Sequence, residues 1–143
     1  LNYIYAKIDK MLQGILHAHS GFRWIALILL VLAIVAVFAG KTNKKISFYT
    51  LLAFHLQLIL GLILFFISPK VEFSGNAMKD SVLRFFTVEH SFLMILSVIL
   101  VTIGYSALKK EKTATYKWLW TAALVLLLIG IPWPFRGLGA GWF

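Results

Sequence analysis

The side chains best suited to chemistry cluster at His17-Ala18-His19-Ser20-Gly21-Phe22-Arg23-Trp24, two imidazoles, a guanidinium and an indole at the mouth of a long apolar run. Imidazole is a metal ligand and a proton carrier near neutral pH, and guanidinium pairs with carboxylates. The remaining histidines are His55, followed by Gln57, and His90, preceded by Glu89. No HExxH, GxSxG, Walker or dinucleotide-binding glycine pattern accompanies them. With no cysteine, disulfides, thiolate metal sites and covalent haem attachment are excluded, and any cofactor is held by His, Met, carboxylate or backbone.

These residues must be positioned by membrane helices. Of the 143 residues, 61% are hydrophobic and 13% charged, and mean hydropathy is +0.89, which places the chain among membrane proteins. The net charge of +9 does not point to nucleic acid, because the Lys and Arg residues lie in short segments between apolar runs. Attraction to anionic lipid and control of topology account for them.

The apolar runs cover about 16–39, 47–68, 82–108 and 116–131, each close to the ~20 residues that cross a bilayer core. Trp118, Trp120 and Trp133 read as interfacial anchors that extend the short fourth run, and Pro132 and Pro134 stop it. The connections GKTNKKI, PKVEFSGNAMKDS and KKEKTAT are short enough to imply antiparallel neighbours. The expected fold is therefore all-α, an integral membrane four-helix up-down-up-down bundle. Residues 1–15 form an amphipathic lead-in without a signal-cleavage pattern, residues 16–143 a single domain, and 132–143 a C-terminal interfacial segment whose aromatics either cover a cofactor edge or anchor the chain. Met11 is a second expected start.

The first and third connections, with Lys117, carry seven cations, and the opposite side carries five, or seven with Lys7 and Lys10. The positive-inside rule then puts those two connections in the cytoplasm and both termini in the periplasm, in a multi-pass protein of the bacterial inner membrane.

Ionisable residues within spans are costly and mark functional positions. His19 lies 20 residues from Ala39 and His90 lies 18 from Leu108, so both sit roughly 27–30 Å above the cytoplasmic helix ends. His55 is eight residues from Ser47, some 15 Å deeper at about 1.5 Å per residue. Two imidazoles at one depth on separate helices are what a bis-histidine b-type haem needs, which makes His19 and His90 the expected metal ligands. Arg23, one turn after His19, shares its face and is placed to pair with a haem propionate. Arg84 and Arg136 return to the same surface and are candidates for the same role. His17 points about 200° from His19 and reads as interfacial, with ligation of the iron as its alternative. His55 and Gln57 stay open between an interhelical contact, a proton path and a deeper ligand. Glu89 reads as a partner for Arg84, Arg23 or His17, and Met94 as packing. Gly21, Gly61 and Gly104 are small positions where a macrocycle or a neighbouring helix can approach.

From Met11 to Phe143 the sequence resembles small four-helix membrane proteins of the Bacteroidota labelled cytochrome-b-like, on HAHSGFRW at 17–24, FHLQLILGLILFFISP at 54–69, MKDSVLRFFTVEH at 78–90 and PWPFRGLGAGWF at 132–143. The resemblance implies a haem b protein without a defined reaction. The segment from His55 to Gly61 is also similar to part of one half of haem A synthase, although the fourth run here has no histidine. The leading expectation is a monohaem b-type protein serving electron transfer with quinol or a redox partner protein. The alternatives are a haem-free accessory subunit of a larger membrane complex and an enzyme acting on haem or a porphyrin.

Overall fold

The first helix outruns its expected span. In a computed structural model that describes residues 2–142, α1 is one helix over Asn2–Phe38. Between residues 2 and 15 only Gly14 disfavours a helix and no proline stops it, so the lead-in continues the span as a helical extension. At 1.5 Å per residue α1 is about 55 Å long against a hydrocarbon core of about 30 Å. Its first turns, with Tyr3, Tyr5 and Ile8 exposed, therefore project beyond the bundle. Residues 1 and 143, the outer limits of the expected lead-in and C-terminal segment, fall outside the described part.

α1 closes on Gly40, whose φ of 72° lets Gly40 N–H reach the Val37 carbonyl and Lys41 N–H reach that of Ala36, satisfying two orphan acceptors. α2 covers Lys44–Ile67. It starts before the expected 47 because the Asn43 side chain accepts from the Lys45 and Ile46 amides, both at 3.1 Å. The third span, Ser81–Lys109, is composite: α3 over Ser81–Arg84, a π turn over Phe85–Glu89, and α4 over His90–Lys109. Asp80 caps it through the Val82 and Leu83 amides. The fourth span, α5, covers Thr113–Gly130. Ile131 leaves the helix at φ −68° and ψ 130° because the following Pro132 disfavours helical backbone.

All four spans are long and apolar enough to cross a membrane. Their surfaces agree with lipid contact. On α1, Ala26, Leu30 and Ala33 are buried while Ile25, Ile28, Leu32 and Val35 are exposed, so small side chains set the close approach inside and large apolar ones face outward. α1 packs chiefly on α2 and α4 on α5; α2 meets α4 and α1 meets α5 along thinner seams. The ring closes with α1 and α4 diagonal to each other.

One half of this ring is held by buried aromatic side chains. The buried Tyr116 hydroxyl bonds Ser47 Oγ at 2.9 Å, and Trp120 Nε1 donates to the Val101 carbonyl at 3.0 Å. Expected as an interfacial anchor, Trp120 is instead fully buried; its indole occupies the place where a residue 104 side chain would stand, so Gly104 is what admits it. A Gly104→Val substitution should unseat Trp120 and cost about 1–3 kcal/mol, measured by reversible unfolding in mixed micelles. Gly14→Ala, which meets open space, should leave stability unchanged or raise it by up to about 1 kcal/mol. Equal tolerance of both changes would mean that Trp120 is not held there.

Candidate functional site

The other half of the bundle encloses a cavity of about 240 Å³ between α1, α2, the third span and residues 139–141. His19 and His90 both line it, from diagonal helices, with ring centroids 6.3 Å apart and planes at 77°.

Each ring is placed by a backbone feature. The carbonyl of Gly130 has no helical donor, because Ile131 ends α5 and residue 134 is a proline. His90 Nδ1 donates to that carbonyl at 2.7 Å. A carbonyl only accepts, so the proton resides on Nδ1 and Nε2 keeps its lone pair. His19 lies against α2, its Cε1 3.1 Å from where a Cβ at Gly61 would be. The absent side chain at 61 makes room for the imidazole. Here Gly61 serves the histidine, where the sequence left open a macrocycle or a helix.

The π turn orients the start of α4. His90 N–H bonds the Phe85 carbonyl five residues back, and Ser91 Oγ donates to that of Phe86 at 2.9 Å. Thr87 Oγ1 accepts from the Glu72 amide at 3.1 Å, which ties the turn to the preceding connection. In a π turn residues five apart share a face. Arg84 Nε accordingly pairs with Glu89 Oε1 at 2.9 Å, both side chains more than 40% exposed (43% and 42%).

Polar groups around the cavity are incompletely paired. Gln57 Nε2 donates to the His19 carbonyl at 2.8 Å, and Arg23, 8% exposed, donates through Nη2 to the Trp142 carbonyl at 2.7 Å. Yet His19 Nδ1, Arg23 Nε and Gln57 Oε1 are buried with no hydrogen-bond partner. Among the described residues no other buried side-chain nitrogen or oxygen is in that position, and all three residues line the one cavity.

Other candidates lie elsewhere. His17 is exposed and is not part of the cavity wall. His55 donates through Nδ1 to the Leu51 carbonyl of its own helix at 2.8 Å and does not reach the cavity. Arg84 is engaged by Glu89. Arg136 donates to the Ile129 carbonyl at 2.8 Å and stacks on Phe85 at 4.7 Å. Neither arginine lines the cavity; the π turn and the short helical turn at Pro134–Arg136 turn them aside. Two participants have no place among the expected site residues. Lys70 lines the cavity, and its signal is being the first cation after the second span, on the side of Arg23. Gly130 contributes a carbonyl, which leaves no mark on residue type.

No three His, Cys, Asp or Glu side chains converge as a metal cluster among the described residues. Comparison with family models, curated proteins and solved structures returns no match to this chain.

The unpaired Gln57 oxygen has a consequence for stability. A Gln57→Leu change loses one interhelical bond, about 0.6 kcal/mol in a membrane bundle, and removes an unsatisfied buried carbonyl costing about 1–3 kcal/mol. The ligand-free protein should become more stable by roughly 1 kcal/mol in mixed-micelle unfolding. A loss of that size would mean that Oε1 is satisfied.

Proposed function

We propose that this chain is a multi-pass inner-membrane protein, an up-down-up-down bundle with both termini periplasmic, that binds one b-type haem between His19 and His90. In this reading it passes electrons to or from a quinol or a redox protein and belongs with the cytochrome-b-like bundles it resembles. The observation that carries the reading is the 6.3 Å between the two ring centroids. Metal–nitrogen bonds of about 2 Å on both sides, plus roughly 1 Å from each nitrogen to its ring centre, give a separation of about 6 Å.

The donor set fits such a group. His90 carries its proton on the nitrogen facing Gly130, the arrangement in which a ligating histidine is oriented by a carbonyl and offers Nε2 to a metal. His19 brings a buried nitrogen with no protein partner. Two imidazoles alone leave an ion under-coordinated, so the site suits an iron whose other positions are filled by a planar macrocycle. When bound, that group supplies one-electron chemistry. The chain's share is to hold the two rings at fixed height, to keep the His90 tautomer, and to exclude water with Leu58, Phe86, Met94 and Leu127, which line the same cavity.

Purified full-length protein should show a Soret band and a sharp reduced α band. His19→Ala and His90→Ala should each abolish tight retention, while His17→Ala and His55→Ala should keep it. Gly61→Ala, which forces the His19 ring to give by a few tenths of an ångström, should shift or broaden the α band without loss of fold. Haem retained after both His19→Ala and His90→Ala would reject the assignment. A colourless preparation from haem-replete cells would favour the accessory-subunit reading.

A further inference from the structure

Resting on the haem reading, we infer that Arg23 and Lys70 form a clamp for the carboxylates of the tetrapyrrole, and that residues 139–142 hold this clamp before the ligand arrives. Both cations line the cavity, and no Asp or Glu does. The one ion pair among the described residues, Arg84–Glu89, is elsewhere. Among the described residues Arg23 has no anionic partner, and a guanidinium buried to this degree is expensive without one.

The described groups that the two cations hold are neutral carbonyls. Arg23 Nη2 bonds the Trp142 carbonyl at 2.7 Å, and Lys70 Nζ bonds the Gly139 carbonyl at 2.5 Å. The Nε–H and Nη2–H groups of an arginine lie on one edge and form a two-pronged fork that matches the two oxygens of a carboxylate. At Arg23 a single carbonyl oxygen occupies one prong, and Nε, the other, has no partner. A carboxylate would fill both.

Residues 139–141 line the cavity beside these cations, and Trp142 stacks on Trp24 at 6.3 Å. The terminal carbonyls thus stand where ligand oxygens would go. Exchanging neutral acceptors for anionic ones gives shorter and stronger bonds, so loading releases the segment from the cations while the Trp24–Trp142 stack keeps it near the mouth. The clamp replaces Arg84 and Arg136 in the role that the sequence offered them.

The test is a Soret titration of ligand-free, full-length protein in detergent with haem and with haem dimethyl ester, whose carboxylates are blocked. The wild type should bind the free acid at least about ten-fold more tightly. Arg23→Lys, which keeps the charge and loses the fork, should shrink that preference, and the Arg23→Gln/Lys70→Gln double variant should reduce it to within about two-fold with the α band in place. Equal affinity for acid and ester in the wild type would overturn the clamp and leave the iron site standing; that comparison needs no variant to fold. Failure to take up either compound would overturn both readings.

Discussion

An apolar bundle surrounded by lipid has no water with which to satisfy a stray donor or acceptor, so each polar atom inside it needs a partner from the chain or from something the chain binds. Over much of this molecule the requirement is met economically. Thr50 and Ser97, fully buried, return their hydroxyls to carbonyls of their own helices, Ser47 returns its own to the Asn43 cap of α2, and Trp120 bonds a carbonyl of the neighbouring helix. Around the cavity it is not met: a histidine, an arginine and a glutamine each keep an unpaired atom. Three such atoms scattered through the fold would be three local costs. Gathered around one cavity, on α1 and α2, they are the polar lining on which the proposed ligand site rests.

The site is built less by its side chains than by irregular backbone. A regular fourth helix continuing past residue 130 would use the Gly130 carbonyl internally and leave His90 without the bond that fixes its tautomer. The prolines at 132 and 134 release that carbonyl. A regular third helix would set Arg84 and Glu89 well apart in direction; the π turn stacks them. It therefore binds Arg84 to a surface carboxylate and leaves His90, the residue after Glu89, turned inward against the Phe85–Phe86 pair, at 5.9 and 6.0 Å.

These irregularities mark the boundary of what the sequence reveals. The four spans are legible because a run of some 20 apolar residues has few interpretations. Counting residues from helix ends suffices to put His19 and His90 at one height, since rise per residue is nearly constant. Direction is harder. It depends on 100° per residue being obeyed, and a single π turn breaks that rule without a signature in residue type. Hence Arg84 and Arg136 look from the sequence like companions of Arg23, and the structure assigns both to other partners. Lys70 looks like a topology signal and reaches the cavity because the chain after α2 folds back over its mouth. Helix ends shift for reasons equally local, such as the Asn43 cap and the backbone limit that Pro132 imposes on Ile131.

The two diagonals of the bundle explain why a ligand site is compatible with a stable fold. Near the two short turns, α2 and α5 meet directly across the ring through Ser47 and Tyr116, both fully buried. At the opposite end the other diagonal, α1 to α4, is held apart by two imidazoles and a cavity. The tight contacts, α1 on α2 and α4 on α5, form two rigid pairs whose mutual seams are thinner. On the proposed reading, a planar molecule would enter along those seams between rings already 6.3 Å apart, and the Ser47–Tyr116 hydrogen bond at the far end would stay closed. The cost of admitting it would then fall on the thinner seams and not on the tightly packed pairs.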